Sequence, residues 1–139
     1  MFARILNAND GSETGLRSFS MAINLAKQNG AELHMVCVEE IPYMPEFVQE
    51  VEEQNERTAH RIKKLLKHAL AMADAEQVKL KTHVLKGHPV RDIVRLADEL
   101  KADLLVIGAV GHSAIYERLI GSRADRLVQL AKCPVLVVK

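Results

Sequence analysis

A regular alternation of short apolar runs and longer amphipathic segments constrains the fold of this chain more than any other feature of its sequence. Short apolar runs bounded by turn residues are typical of strands, whereas apolar residues that recur every three or four positions are typical of helices. Strands that alternate with helices form a parallel sheet with right-handed crossovers. The runs predict five strands, at 2–9, 33–38, 78–85, 102–108 and 134–138.

Capping residues mark the ends of the amphipathic segments. Ser12 is a predicted N-cap, Gly30 closes the helix that follows it, and Pro89 occupies the first position of a later helix. The segment 39–46 contains Pro42 and Pro45 and is predicted to be a loop. The four predicted helices lie between Ser12 and Gly30, over 47–76, over 89–100 and over 122–131.

This order predicts one α/β domain over residues 1–139, a three-layer αβα sandwich with a five-stranded parallel sheet. The length suits a single domain of about 100–150 residues. Trp is absent and aromatic residues make up only 4% of the chain, so we expect an aliphatic core. The run 102–108 is almost continuously apolar, which indicates a strand that is covered on both faces.

Charge and cysteine content exclude several classes of protein. The formal net charge of +1 gives no basis for binding nucleic acid or an anionic membrane. No stretch approaches the roughly 20 apolar residues of a membrane-spanning helix, and the first residues lack the features of a signal peptide. Cys37 and Cys133 lie in apolar runs at a spacing that fits neither a redox motif nor a zinc site. We therefore expect a cytoplasmic protein with two reduced, buried thiols.

The loop after the fourth strand is the strongest candidate for a binding site. Ligands of such sheets bind at the carboxyl ends of the strands, and this loop carries three glycines, at 108, 111 and 121. Gly121 and Ser122 open a helix whose first N–H groups and dipole favour a phosphate, and Arg123 and Arg126 add positive charge. A structural alternative is that Ser122 and Asp125 form a capping box and that Gly121 is only a turn residue.

The spacing Gly108-x2-Gly111-x9-Gly121-Ser122 resembles the ATP-binding signature of the universal stress protein family. Three further stretches resemble the same family: Asp10-Gly11-Ser12, the strand 102–108, and the closing run 133–138. The resemblance covers essentially the whole chain. It implies a Rossmann-like sheet of strand order 3-2-1-4-5 and a homodimer formed through the C-terminal edge strand. The implied ligand is ATP, with or without Mg²⁺.

The resemblance also assigns residues to parts of the nucleotide. Asp10 would contact the ribose or the base, and Val38 and Ile107 would line the adenine pocket. The glycines at 108 and 111 would admit the phosphates, which Gly121 and Ser122 would bind. His112 either donates to a phosphate or is an exposed loop residue, and Arg123 and Ala124 stand where some ATP-binding members have a small apolar residue and a hydroxyl. The predicted site consists of Ala8, Asn9, Asp10, Val38, Ile107, Gly108, Gly111, His112, Gly121, Ser122, Arg123 and Ala124.

Other nucleotide-handling classes lack their motifs in this chain. The P-loop motif and the Gly-x-Gly-x-x-Gly fingerprint are both missing, and strand three ends at Lys86-Gly87 without the acid of a receiver domain. The histidines show no metal-binding spacing, and no catalytic set can be assembled. The first hypothesis is an ATP-binding regulatory protein. The alternatives are a slow ATP hydrolase, or a stress-induced interaction module that binds no ATP or a different nucleotide.

Overall fold

The structure is a computed structural model that describes residues 1–40, 48–110 and 120–139. In this part of the chain, strands and helices alternate in the predicted order. No helix in the described ranges is both long enough and apolar enough to span a membrane. The elements are β1 (Arg4–Ala8), α1 (Glu13–Asn29), β2 (Glu32–Glu40), α2 (Val48–Ala75), β3 (Leu80–Gly87), α3 (Pro89–Glu99), β4 (Leu104–Gly108), α4 (Ser122–Leu130) and β5 (Val135–Val138).

The five strands form one parallel sheet with the order β3-β2-β1-β4-β5, which confirms the predicted topology. β1 lies at the centre, where Ala8 pairs with Val36 of β2 on one side and with Ile107 of β4 on the other. The chain order reverses between β1 and β4. Parallel sheets of this kind bind ligands beyond the carboxyl ends of the strands at such a reversal.

Two aliphatic cores cover the two faces of the sheet, because successive strand residues point to opposite sides. On one face Ile5, Met35 and Val106 pack against α1 and α2, around the fully buried Phe19. On the other face, strand residues pack against α3 and α4; the buried members of this core are Leu6, Val36, Val90, Ile93, Leu96, Ala97, Leu105, Ile107, Ala124 and Leu127.

Asn7 is a polar residue in the middle of the central strand, and it is completely buried. Its Nδ2 donates to Ser18 Oγ at 2.9 Å and to the carbonyl of Val106 at 3.0 Å. Ser18 Oγ in turn donates to the carbonyl of Gly15 at 2.7 Å. These bonds link β1, β4 and the first turns of α1 and satisfy the amide nitrogen of Asn7, whereas its buried Oδ1 has no hydrogen-bond partner among the described residues.

Two local predictions were wrong. β2 does not stop at Val38, because Glu39 and Glu40 continue the ladder beside Lys86 and Gly87 of β3. Cys133 is only partly buried, whereas Cys37 is buried as expected; both thiols are free. Burial raises the pKa of the Cys37 thiol to about 11 and also raises that of Cys133, so both are protonated at neutral pH.

Candidate functional site

A cleft of about 1150 Å³ opens at the carboxyl ends of the strands. This volume slightly exceeds the usual range of small-molecule sites, about 300–1,000 Å³, so the cleft can accept a ligand of nucleotide size. Its floor is apolar and is formed by Ala8, Val36, Val38 and Ile107. The register places three of these residues side by side on neighbouring strands, since Ala8 pairs with both Val36 and Ile107.

The turn after β1 forms one wall of the cleft and is held by its own side chains. Asn9 Oδ1 accepts a hydrogen bond from Gly11 N at 2.9 Å, and Asp10 Oδ1 accepts one from Ser12 N at 2.9 Å. Ser12 then caps α1, because its Oγ accepts from Gly15 N at 3.1 Å. Asp10 therefore shapes the turn, and its half-buried carboxylate lines the cleft.

Gly108 ends β4 at a point where the start of α1 crosses very close to the strand. A Cβ atom at Gly108 would lie 2.6 Å from Thr14 Oγ1 and 2.8 Å from the carbonyl carbon of Thr14. Thr14 also donates through Oγ1 to the carbonyl of Val110, which ties the segment after β4 to α1. The glycine is thus required by packing, independently of any ligand.

The N-terminus of α4 faces the cleft without a side-chain cap. Gly121 is the N-cap residue, and its N–H donates to the carbonyl of Ala109 at 2.7 Å. Gly121 has no side chain, so the N-cap residue itself accepts no hydrogen bond from the first turn. The N-cap is Gly121 and Ser122 is already the first helical residue, so the capping-box interpretation of Ser122 and Asp125 is wrong. Asp125 accepts a hydrogen bond from Gln129 Nε2 through Oδ2, at 3.0 Å. The first N–H groups of a helix have no intrahelical partner, and their positive dipole end favours an anion here.

Charged side chains of both signs border the cleft. Arg123, in the first turn of α4, forms an ion pair with Glu40 at the end of β2. Glu39 is largely buried, and its Oε2 lies 3.9 Å from Lys86 Nζ. Arg61 of α2 adds a further positive charge to the lining. Positive and negative side chains are thus both present, so the cleft can contact both a phosphate and hydroxyl groups of a ligand.

The opposite wall begins where β3 passes into α3. His88 is the N-cap of α3, and its Nδ1 accepts from Arg91 N at 3.2 Å. The buried carboxylate of Asp92 accepts from His88 N at 2.8 Å, and this hydrogen bond holds the pKa of Asp92 below its ordinary value. A Cβ atom at Gly87 would lie 2.1 Å from Asp92 Oδ2, so a glycine is needed there. Asp92 thereby fixes the backbone that forms this wall.

The predicted site residues converge on this one cleft. Gly111 and His112 lie outside the described residues. The other ten all line the cleft: Ala8, Asn9, Asp10, Val38, Ile107, Gly108, Gly121, Ser122, Arg123 and Ala124.

Sequence reasoning missed several residues that also line the cleft. Glu39 and Glu40 follow the second strand, and applying the carboxyl-end rule to that strand would have found them. A second group of missed lining residues belongs to α2, where they recur at the spacing of a single helix face. The sequence does not indicate that this face of α2 meets the cleft. The missed lining residues with polar side chains on helices are Gln54, Asn55, Thr58, Arg61, His88 and Arg91.

Comparisons with known proteins agree with this architecture over the whole chain. The model of the universal stress protein family matches residues 1–139. A universal stress protein of Methanocaldococcus jannaschii is 34% identical over 148 aligned positions, which cover 100% of this chain and 83% of the relative. The structure of the universal stress protein UspA from Lactobacillus plantarum has a TM-score of 0.89 at 25% identity and covers 99% of this chain and 97% of its own. A universal stress protein solved in complex with cAMP has a TM-score of 0.77 at 30% identity, with coverage of 99% and 97%.

Proposed function

The chain belongs to the universal stress protein family, and from this premise we propose that it binds ATP as a regulatory ligand in the cleft beyond β1 and β4. The observation that carries the proposal is the start of α4, which faces the cleft with a glycine N-cap and no side-chain cap. Such a helix end favours a phosphate group through its N–H donors and its dipole.

The rest of the cleft suits the remainder of the nucleotide. The apolar floor of Ala8, Val38 and Ile107 offers a surface for the adenine ring, and Asp10 offers a carboxylate to the ribose hydroxyls. The phosphates would then reach Gly121, Ser122 and the guanidinium of Arg123. Roles for Gly111 and His112 remain predictions from the sequence.

A related protein supports an adenine nucleotide as the ligand. The universal stress protein solved with cAMP is 30% identical to this chain over nearly the whole length of both. We propose that any Mg²⁺ arrives with the phosphates of ATP, because Mg²⁺ is usually held by substrate phosphates and one or two carboxylates. Among the described lining residues, Asp10 and Glu39 would supply such carboxylates.

The sharpest test removes a single backbone donor from α4. Ser122 is the first helical residue, where proline is tolerated, and Gly121 has the extended conformation (φ −62°, ψ 156°) that a residue before proline adopts. We expect Ser122→Pro to keep the fold but to weaken ATP binding by roughly tenfold or more, the size of a charge-assisted hydrogen bond. Titration calorimetry on nucleotide-free protein measures the effect.

The matched control is Ser122→Ala, which removes the hydroxyl and keeps the N–H. A loss in Ser122→Pro that clearly exceeds the loss in Ser122→Ala assigns the phosphate to the helix terminus. The absence of ATP binding by the nucleotide-free wild-type protein contradicts the proposal. Substitution of Gly121 is a weaker test, because a Cβ atom there would lie 3.3 Å from the carbonyl oxygen of Ala109 and would disturb the unliganded loop as well.

We further propose that the protein is a cytoplasmic homodimer that pairs through β5. β5 is the last strand of the sheet order, it is entirely apolar, and all four of its residues are partly exposed. An apolar edge strand with unpaired backbone groups favours pairing with a second chain. The two free cysteines are consistent with the reducing cytoplasm.

A further inference from the structure

The ion pair between Glu40 and Arg123 crosses the mouth of the cleft. Glu40 ends β2 and Arg123 lies in the first turn of α4, and β1 separates β2 from β4 in the sheet. The two side chains therefore meet over the carboxyl end of the central strand. The guanidinium that a phosphate at α4 would contact is already paired with a carboxylate of the same chain.

The exposure of this pair allows it to exchange partners. The side chains of Arg123 and Glu40 are 54% and 58% exposed. Ion pairs in such positions are weak, because water solvates the separated charges well. A phosphate group carries more negative charge than a carboxylate and would also be held by the helix N-terminus, so it can replace Glu40 as the partner of Arg123.

We propose that Glu40 is a specificity-determining residue of the cleft, because its carboxylate competes with the phosphates of the ligand for Arg123. The inference rests on the proposed binding of a nucleotide at α4. A phosphorylated ligand must break the Glu40–Arg123 pair, and Glu40 is then left as an unpaired negative charge at the mouth. A nucleoside without phosphate leaves the pair intact. Glu40 thus reduces the preference of the cleft for ATP over adenosine.

The test compares ATP and adenosine on the same set of variants. Glu40→Gln keeps the shape of the side chain and removes its charge. It is expected to tighten ATP binding about two- to fivefold, the size of an exposed ion pair, and to leave adenosine binding unchanged. Arg123→Gln is expected to weaken ATP binding. In the Glu40→Gln/Arg123→Gln double variant, the gain from Glu40→Gln should disappear, because no guanidinium remains to be released.

Glu99→Gln is the matched control for net charge. Glu99 is also an exposed carboxylate in an ion pair, with its Oε1 3.7 Å from Arg95 Nε, and it ends α3 away from the cleft lining. Glu99→Gln should leave ATP affinity unchanged. Calorimetry at about 50 mM and about 300 mM salt adds a second readout, because screening should shrink the gain of Glu40→Gln.

The outcomes separate this inference from the proposed function. If Glu40→Gln leaves the affinity for ATP unchanged, the inference alone is overturned. It is also overturned if the affinity for ATP rises equally when Glu40→Gln is made in the Arg123→Gln background, or if Glu99→Gln raises it by the same amount. The absence of ATP binding in both the wild-type protein and Glu40→Gln overturns the inference together with the proposed function. The competition between Glu40 and the phosphates is established if Glu40→Gln raises the affinity for ATP, if this rise disappears in the Arg123→Gln background, and if the affinity for adenosine does not rise.

Discussion

Gly108 illustrates how a glycine in a binding motif can be required by the unliganded fold. We expect Gly108→Ala to lower the free energy of unfolding by about 1–3 kcal/mol, the usual cost of overpacking, since its Cβ atom would lie 2.8 Å from backbone of Thr14. Urea unfolding monitored by circular dichroism measures the change. Loss of ATP binding in Gly108→Ala would not show that Gly108 contacts the nucleotide, because the substitution would also shift the wall of the cleft at the start of α1.

Gly30→Asn is a suitable control for Gly108→Ala. Gly30 caps α1 in the left-handed conformation (φ 61°), and a Cβ atom there meets nothing within 4 Å. Asparagine tolerates this conformation, so the loss of stability should stay below about 1 kcal/mol. Equal stability of Gly108→Ala and the wild-type protein would contradict the close packing between β4 and α1.

Some features of individual residues could be predicted from the sequence, whereas others depend on contacts between distant parts of the chain. The places of Gly108, Gly121 and Asp10 at the cleft were predictable, because the residue type and its place in the chain after a strand carry the information. The burial of Asn7 was not explained by the sequence, since its partners Ser18 and Val106 come from other elements. The pairing of Arg123 with Glu40 depends on the same kind of long-range contact.

At the scale of elements, β2 and β3 are joined by a histidine pair that should make stability depend on pH. The rings of His34 and His83 stack with centroids 5.2 Å apart, and His34 Nδ1 lies 2.9 Å from His83 Nε2. Burial lowers the pKa of both, and Lys81 lowers both further, while Glu32 opposes the shift at His34. The folded protein therefore holds these rings neutral more strongly than the unfolded chain does.

The sign of the pH effect follows from these directions. Histidine in the unfolded chain has a pKa of about 6.5, so well above this pH both rings are neutral in the folded and the unfolded protein. The contribution of the pair to the free energy of unfolding is then fully present. As the pH falls below 6.5, the unfolded chain takes up protons first, so stability should fall by up to about 1.4 kcal/mol per pH unit for each such proton. Urea unfolding at pH 7.5 and pH 5.5 should show a smaller loss in His83→Gln than in the wild-type protein.

Equal losses in the two proteins would contradict the role of the histidine pair. The titration of Glu32 does not contribute to the difference between pH 7.5 and pH 5.5, because hydrogen bonds from Lys81 and Arg4 lower its pKa to about 2. Its contribution to stability is present above its ordinary value of 4.5 and is lost only as the pH falls from there through about 2.

β5 allows the proposed dimer to be tested at one backbone group. The carbonyl of Pro134 accepts from Leu105 N of β4 at 2.9 Å, and the carbonyl of Val138 accepts from Ala109 N, just after β4, at 2.8 Å. Because backbone groups alternate in direction along a strand, the N–H of Val137 points to the free edge. Val137→Pro should therefore leave the β4 ladder intact but weaken edge pairing, and sedimentation analysis should show more monomer.

Val137→Thr is the control for this substitution, since it keeps the β-branched shape and the N–H. It should dimerise much like the wild-type protein. Dimerisation of Val137→Pro with unchanged affinity would place the interface elsewhere. A wild-type protein that stays monomeric would contradict the dimer itself.

The order of the elements was largely predictable, whereas the ends of several were not. Alternation of apolar residues and the caps Ser12, Gly30 and Pro89 place the helices within a few residues. β2 extends past its apolar run through Glu39 and Glu40, because backbone pairing with β3 continues after the side chains become polar. The N-cap role of His88 depends on the hydrogen bond of its ring to Arg91 N, which residue type alone does not predict.

For the whole molecule, the cleft is lined by residues from both sides of the sheet, so nucleotide binding should stabilise the entire domain. A ligand at a hundred times its Kd adds about 2.7 kcal/mol to the free energy of unfolding. In a domain of this size that corresponds to a rise in Tm of about 5–10 °C. Differential scanning fluorimetry with ATP should show this rise in the wild-type protein and a much smaller one in Ser122→Pro, whose Tm without ligand should be nearly unchanged. An equal rise in both proteins would mean that ATP stabilises the domain without using the N-terminus of α4.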